Sequence, residues 1–153
     1  MKKLLLFILL ISSLTSFSQN IVGKWKAVDD KWNIETAIME IYEENGIYKT
    51  KIIAILNKEN AEKCTNCVGK YHNRNLVNLI LSDNLIFDKK VYNGKILDPE
   101  SNKIYSCYMK LINNDKLKIR GYIGFSLLGR TQYWYRVNEK EAKILIDKVN
   151  SNE

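Results

Sequence analysis

The chain has little of what interrupts a compact fold and little of what carries ready-made chemistry. One proline and seven glycines in 153 residues leave no Pro/Gly-rich or low-complexity stretch, which excludes a disordered or linker-dominated chain. A single histidine, His72, withdraws most nucleophilic arrangements. "GFSLLG" (Gly124 to Gly129) resembles a nucleophile elbow, but its last glycine comes one position late and no histidine follows Ser126. There is no glycine-rich phosphate loop. Charges of both signs are interspersed along the chain, so the net charge of +7 does not build a basic arm or patch, and nucleic acid is not expected as a partner. Asp29, Asp30, Glu40 and Asp98 are present, but nothing pairs them for acid–base work.

The one sustained apolar run is at the N-terminus. "MKKLLLFILLISSLTSFSQN" has Lys2 and Lys3, an apolar stretch from Leu4 to Ile11, and small polar residues up to Ser18. This three-region pattern is that of a secretory signal peptide over residues 1–18, cleaved after Ser18. The run falls well short of the roughly 20 apolar residues of a membrane-spanning helix. No cysteine near the cleavage site offers a lipid anchor. The mature chain is therefore expected to be secreted or periplasmic, with the charge lowered to +5 by loss of the two lysines. Residues 19–153 have a length suited to a single domain with one core.

Cysteines are few as well: Cys64, Cys67 and Cys107. In an oxidising compartment, "CTNC" within the polar segment "NKENAEKCTNCVGKYHNRN" reads as a small loop disulfide, Cys64 to Cys67, or as two thiols tying a long connection. It lacks the strand-to-helix setting of a thioredoxin-like motif. Val68 stands where c-type haem attachment needs a histidine. Cys64, Cys67 and His72 would be one ligand short of a closed structural zinc site, so no metal is expected. A Cys–His dyad would lack an orienting third group. No catalytic residue and no cofactor are assigned, and the chain is not read as an enzyme.

What the sequence does have is a succession of short apolar-alternating segments between turn signals. Candidate strands are Ile21–Val28, Thr36–Glu43, Ile47–Leu56, Leu76–Leu81, Leu85–Asp88, Val91–Leu97, Lys103–Leu111, Lys116–Ile123 and Gly129–Val137. "EENGIY" supplies Asn45-Gly46 for a type I′ hairpin, and "INNDKL" is read in the same way. Asp98-Pro99 marks another turn. The connections are too short for crossover helices, so pairing is antiparallel. Trp25, Leu117 and Ile119 alternate with lysines and arginine, which turns them inward. Cys107 shares a face with Tyr105, Met109 and Leu111 and is expected to be a buried small hydrophobe. Asn138 and Glu141 form a capping-box pattern ahead of Ala142, Leu145, Ile146 and Val149, which predicts one amphipathic C-terminal helix.

The last strand holds the candidate binding residues. Arg130, Gln132, Trp134 and Arg136 fall at every second position and so share a face. If that face is inward, guanidinium groups enter the barrel and need acids or an acidic ligand. Otherwise Thr131, Tyr133, Tyr135 and Val137 point inward, or Arg136 and Arg130 close the barrel ends against Trp25 and Asp98. The glycine-bracketed apolar loop Phe125-Ser126-Leu127-Leu128 is expected to plug one barrel end with its side chains on the core. The alternative is an exposed mouth suited to a lipid-like ligand, a membrane surface or a protein partner.

Taken in order, "GKWKAVDD", "YEENGIYKTKI", the CxxC loop, "YNGKILDPESNKIYSC" and above all "LKIRGYIGFSLLGRTQYWYRV" resemble the exported bacterial family DUF2147. The resemblance implies an all-β fold, an antiparallel up-and-down lipocalin-like (calycin) barrel of about eight strands. It supplies no activity. Gly23-Lys24-Trp25 resembles the G-x-W element of lipocalins, which implies that Arg136 packs across Trp25. The combined expectation is a non-enzymatic binding protein for a small amphipathic or acidic ligand, with Arg130, Gln132, Trp134, Arg136, Trp25, Phe125 and Leu128 as ligand-binding candidates. The second reading is a cell-envelope interaction module with a solid core, making protein or membrane-surface contacts.

Overall fold

The computed structural model describes residues 20–57 and 62–151; the leader expected over residues 1–18 lies outside them. Strands β1 (Gly23–Val28), β2 (Glu35–Glu44), β3 (Ile47–Ile55), β4 (Ile80–Asp88), β5 (Val91–Asp98), β6 (Lys103–Asn113), β7 (Lys116–Tyr122) and β8 (Gly129–Val137) precede helix α1 (Glu139–Asn150). Each strand pairs antiparallel with the next, and β8 returns to pair with β1, closing an up-and-down barrel. Closure removes the free edges that an open sheet would expose.

Alternation within the strands divides the side chains as a barrel requires. Trp25, Met39, Ile41, Ile52, Leu85, Met109, Leu117 and Trp134 meet in one interior cluster. A second cluster lies outside the barrel wall, where α1 packs Ala142, Leu145 and Ile146 against Ile38, Ala54 and Val137. Alternation buries the neighbours Ile38 and Met39 on opposite sides of the wall, and the β2–β3 pairing shifts register between them. The helix is capped as its sequence predicts: the Asn138 side chain accepts from the Glu141 N–H at 2.9 Å. Lys24 pairs with Glu139 and ties the helix start to β1.

Two local expectations are corrected. Leu76–Leu81 and Leu85–Asp88 are not separate strands. Leu76 and Leu79 belong to the long β3–β4 connection and sit buried in the interior cluster, while Ser82-Asp83-Asn84 continues one bent strand. The bend is bridged by a side chain, since Asn84 Oδ1 accepts from the Lys95 N–H at 2.9 Å. Gly94 permits this approach, because a Cβ there would stand 2.8 Å from the Asn84 carbonyl oxygen. The second correction concerns turns. Asn45 and Gly46 have φ of 54° and 78°, as a type I′ hairpin needs, but no residue of "INNDKL" adopts positive φ. That turn forms instead through the Asn113 side chain, which accepts from the Asp115 N–H at 3.0 Å. The other left-handed pair is Lys89-Lys90, with φ of 45° and 86°, which joins β4 to β5.

The β3–β4 connection is held down by the Cys64–Cys67 disulfide, and both cysteines are buried in the interior cluster. Cys107 is free and buried. Burial pushes its thiol up to about 12, against a smaller opposing effect of the Gly94 backbone, so no thiolate is available near neutral pH. Thiol counting on oxidised protein should therefore find no reactive thiol in the native state and one per chain after unfolding without reductant. Rapid native labelling would contradict this burial.

Candidate functional site

Strand β8 runs the length of the barrel and carries the candidate residues from mouth to floor. Trp134 is 4% exposed whereas Tyr133 and Tyr135 are 36% and 39% exposed, so the face bearing Arg130, Gln132, Trp134 and Arg136 is the inner one. Val137 is buried too, but beneath α1 on the outer side.

The floor is built by Trp25 and Arg136, which stand opposite each other in the β1–β8 register. The Arg136 guanidinium lies over the indole, its carbon 4.2 Å from the ring centroid. Its nitrogens donate to the carbonyl oxygens of Asn114, Val22 and Asn20 at 2.6, 2.8 and 2.9 Å. The Trp25 indole in turn donates to the Ile21 carbonyl at 2.8 Å. Arg136 thus gathers the N-terminal segment and the β6–β7 turn over one end of the barrel. Burial lowers its pKa, opposed by the charge of Asp115. Gly23, at φ 132°, is required beside it, because a Cβ there would meet the guanidinium at 2.8 Å.

Above this floor lies a cavity of about 710 Å³ that opens at the other end. Leu81, Ile96, Leu97, Ile119 and Trp134 give it an apolar wall, and Gln132 and Tyr105 add polar groups. The Trp134 indole nitrogen is fully buried and has no hydrogen-bond partner. Because it has no surface open to water, this N–H lies behind the cavity surface, and Trp134 offers the cavity its apolar ring. Trp25 and Arg136 do not line the cavity, because their polar groups are already occupied at the floor.

At the mouth, Arg130 lines the cavity but is already matched with acids of its own chain. Its Nε donates to Asp30 at 2.7 Å and its Nη2 to Asp29 at 3.0 Å, and Glu100 lies 3.7 Å away. The hydrogen bond with Asp30 is the main cause of its raised pKa, outweighing burial. Asp98, considered from sequence as its brace, instead caps the β5–β6 turn, accepting from the Glu100 N–H at 3.0 Å and the Ser101 hydroxyl at 2.8 Å. The Asp29 carboxyl is held below the usual range chiefly by accepting from the Trp32 N–H, with Arg130 adding to the effect.

The apolar loop does not plug the barrel. Phe125, Leu127 and Leu128 are 80%, 86% and 73% exposed. The reason is Arg120, on the outer face of β7, which donates to the carbonyls of Ser126 and Leu127 at 2.6 and 3.0 Å and to the Thr131 hydroxyl at 2.7 Å. These bonds hold the loop backbone away from the barrel opening. Leu128 borders the cavity entrance, whereas Phe125 does not. Trp32, in the β1–β2 loop of the same end, is also exposed and was not singled out from sequence. An aromatic beside a lysine within the irregular segment "DDKWN" was the available signal.

Residues 23–136 match the family model described as an uncharacterised protein conserved in bacteria, DUF2147. The chain belongs to this family. The DUF2147 chain is also similar in structure to protein HP1028 from the human pathogen Helicobacter pylori, described as belonging to the lipocalin family, with a TM-score of 0.71 and 22% identity over 82% of this chain and 88% of that one. The likeness shows a shared lipocalin-like fold. No curated protein matches the sequence.

The floor contact has a measurable consequence for the DUF2147 barrel. Arg136→Met should cost about 2–4 kcal/mol of stability, since it removes charge-assisted bonds and the stacked cation together. In a double-mutant cycle with Trp25→Phe, denaturant titration should return a coupling of about 0.5–2 kcal/mol; a value near zero would show that the two side chains do not act as a unit.

Proposed function

We propose that this DUF2147 protein is a non-enzymatic, exported carrier of a small, mostly apolar molecule bearing an uncharged hydrogen-bond acceptor. The observation that carries this reading is an open cavity of about 710 Å³ with a largely apolar wall that also holds Gln132 and Tyr105. The volume falls within the range of about 300–1,000 Å³ typical of small-molecule sites. A lipocalin-like barrel is a natural container for one such ligand. The leader pattern at the N-terminus supports export to a secreted or periplasmic location.

The ligand's charge is argued from the mouth. Arg130 faces Asp29, Asp30 and Glu100, and Asp98 also borders the cavity. An incoming carboxylate would compete with acids already bonded to the only guanidinium in the cavity wall, and would meet two further carboxylates. Uncharged amphiphiles such as long-chain alcohols, esters or amides avoid that repulsion. Their apolar body would lie against Leu81, Ile96, Ile119 and the Trp134 ring, and their oxygen would accept from the Gln132 amide. Of the two ligand classes expected from sequence, the amphipathic one is thus favoured over the acidic one.

The test uses protein purified from its own host, examined by native mass spectrometry for a retained small molecule, followed by calorimetry with a panel of neutral and anionic amphiphiles. Gln132→Leu should keep the thermal stability, because the side chain borders the cavity rather than the packed core, while losing about five- to tenfold in affinity for neutral acceptor ligands. Equal affinity in the variant, or no binding of any amphiphile by the wild type, would overturn the carrier reading.

A further inference from the structure

Two loops at the mouth expose large apolar side chains, and two arginines hold them there. Arg120 anchors the Phe125–Leu128 loop through two of its carbonyls, and the loop closes on itself with the Leu128 N–H donating to the Phe125 carbonyl at 3.0 Å. Arg130 reaches across to the β1–β2 loop and holds Asp29, whose other oxygen accepts from the N–H groups of Lys31 and Trp32 at 2.9 and 2.8 Å. Trp32 therefore projects from a turn that is fixed to the first residues of β8. Phe125, Leu127, Leu128, Ile123 and Trp32 form an exposed apolar collar at one barrel end. Soluble monomers rarely present large side chains in such a cluster, and here the backbone bonding prevents them from folding back.

We infer that this collar docks the barrel, mouth down, on the surface of a lipid bilayer. Three observations select that occupant. Ile123 and Leu128 are both exposed and part of the cavity wall, so apolar surface is continuous from outside into the cavity, as loading from a hydrocarbon phase requires. A second copy facing the same mouth would bring Asp29, Asp30 and Glu100 of one chain toward the same acids of the other, which opposes self-association. Lys31 lies 4.8 Å over the Trp32 ring, which pairs a cation with the aromatic tip that would enter the headgroup region. The first of these observations rests on the carrier reading, whereas docking itself is measured with no ligand in the cavity.

Sedimentation with vesicles of phosphatidylcholine, alone and mixed with phosphatidylglycerol, tests this directly. Wild-type protein should partition onto phosphatidylcholine vesicles, with phosphatidylglycerol adding little, because carboxylates share the mouth with its cations. Phe125→Ser combined with Leu127→Ser should lower partitioning by at least about tenfold with an unchanged melting temperature, since neither side chain is packed. Arg120→Met, which keeps every apolar side chain but frees the loop, should also weaken it. Fluorescence quenching by lipids brominated in their acyl chains should fall when Trp32 is changed to Phe. Failure of the wild type to sediment with either vesicle, or equal partitioning by the Phe125/Leu127 variant, would overturn the inference. So would sedimentation velocity showing a dimer that this variant abolishes, which would give the collar to a second copy.

Discussion

Pairing of the first strand with the last is the constraint from which the other features follow. The register that sets Trp25 opposite Arg136 and Val28 opposite Tyr133 puts Trp25 and Arg136 together at one end. It also leaves Asp29 and Asp30, just beyond β1, beside Arg130 at the start of β8. A slip of one residue would turn every inward side chain of β8 outward. One strand pairing thus determines both a sealed floor and a charged rim, with the cavity between them.

The arginines are the means by which polar backbone is managed at the barrel ends. Arg136 collects carbonyls of the N-terminal segment and the β6–β7 turn, groups that would otherwise lie over an apolar core without partners. Arg120 does the same for the β7–β8 loop. Arg130 is neutralised by carboxylates, so its charge is not left free at the entrance. With these three guanidinium groups occupied, the interior between them is left largely apolar. Trp134 Nε1 behind the cavity surface and the Thr50 and Ser82 hydroxyls elsewhere in the barrel are the buried side-chain donors without partners among the described residues.

Much of this fold can be read from residue order. Alternation of Leu117 and Ile119 with Lys116, Lys118 and Arg120 identifies a half-buried strand, Asn45-Gly46 a hairpin, and Asn138 with Glu141 the start of α1. The misread places share one cause, in that side chains replaced backbone geometry. Asn84 carries a ladder bond through "SDN", so a turn-like composition became a bend within β4. Asn113 shapes a turn that its composition assigned to left-handed backbone. For the site, alternation places Arg130, Gln132, Trp134 and Arg136 on one face, but not their depth, and depth decides which of them meets a cavity. Nor could sequence spacing reveal that Arg120 holds the Phe125–Leu128 loop outward, because that depends on which carbonyls fall within reach of its guanidinium. The pairing of Arg130 with Asp29 and Asp30, about 100 residues away, is a product of closure and has no local signature.

The central claim is that the barrel holds a mostly apolar molecule against Trp134, in the cavity between the sealed floor and the charged rim. The chain's three tryptophans occupy three separate positions: Trp25 at the floor with its N–H bonded to Ile21, Trp134 in the cavity wall, and Trp32 exposed at the mouth. Indole ¹H–¹⁵N resonances, followed by NMR during titration with a long-chain alcohol, therefore report each place separately. The account predicts a saturable shift of the Trp134 indole resonance with the Trp25 resonance nearly unmoved. A shift confined to Trp32, or a Trp134 resonance that stays in place while the alcohol binds, would contradict it.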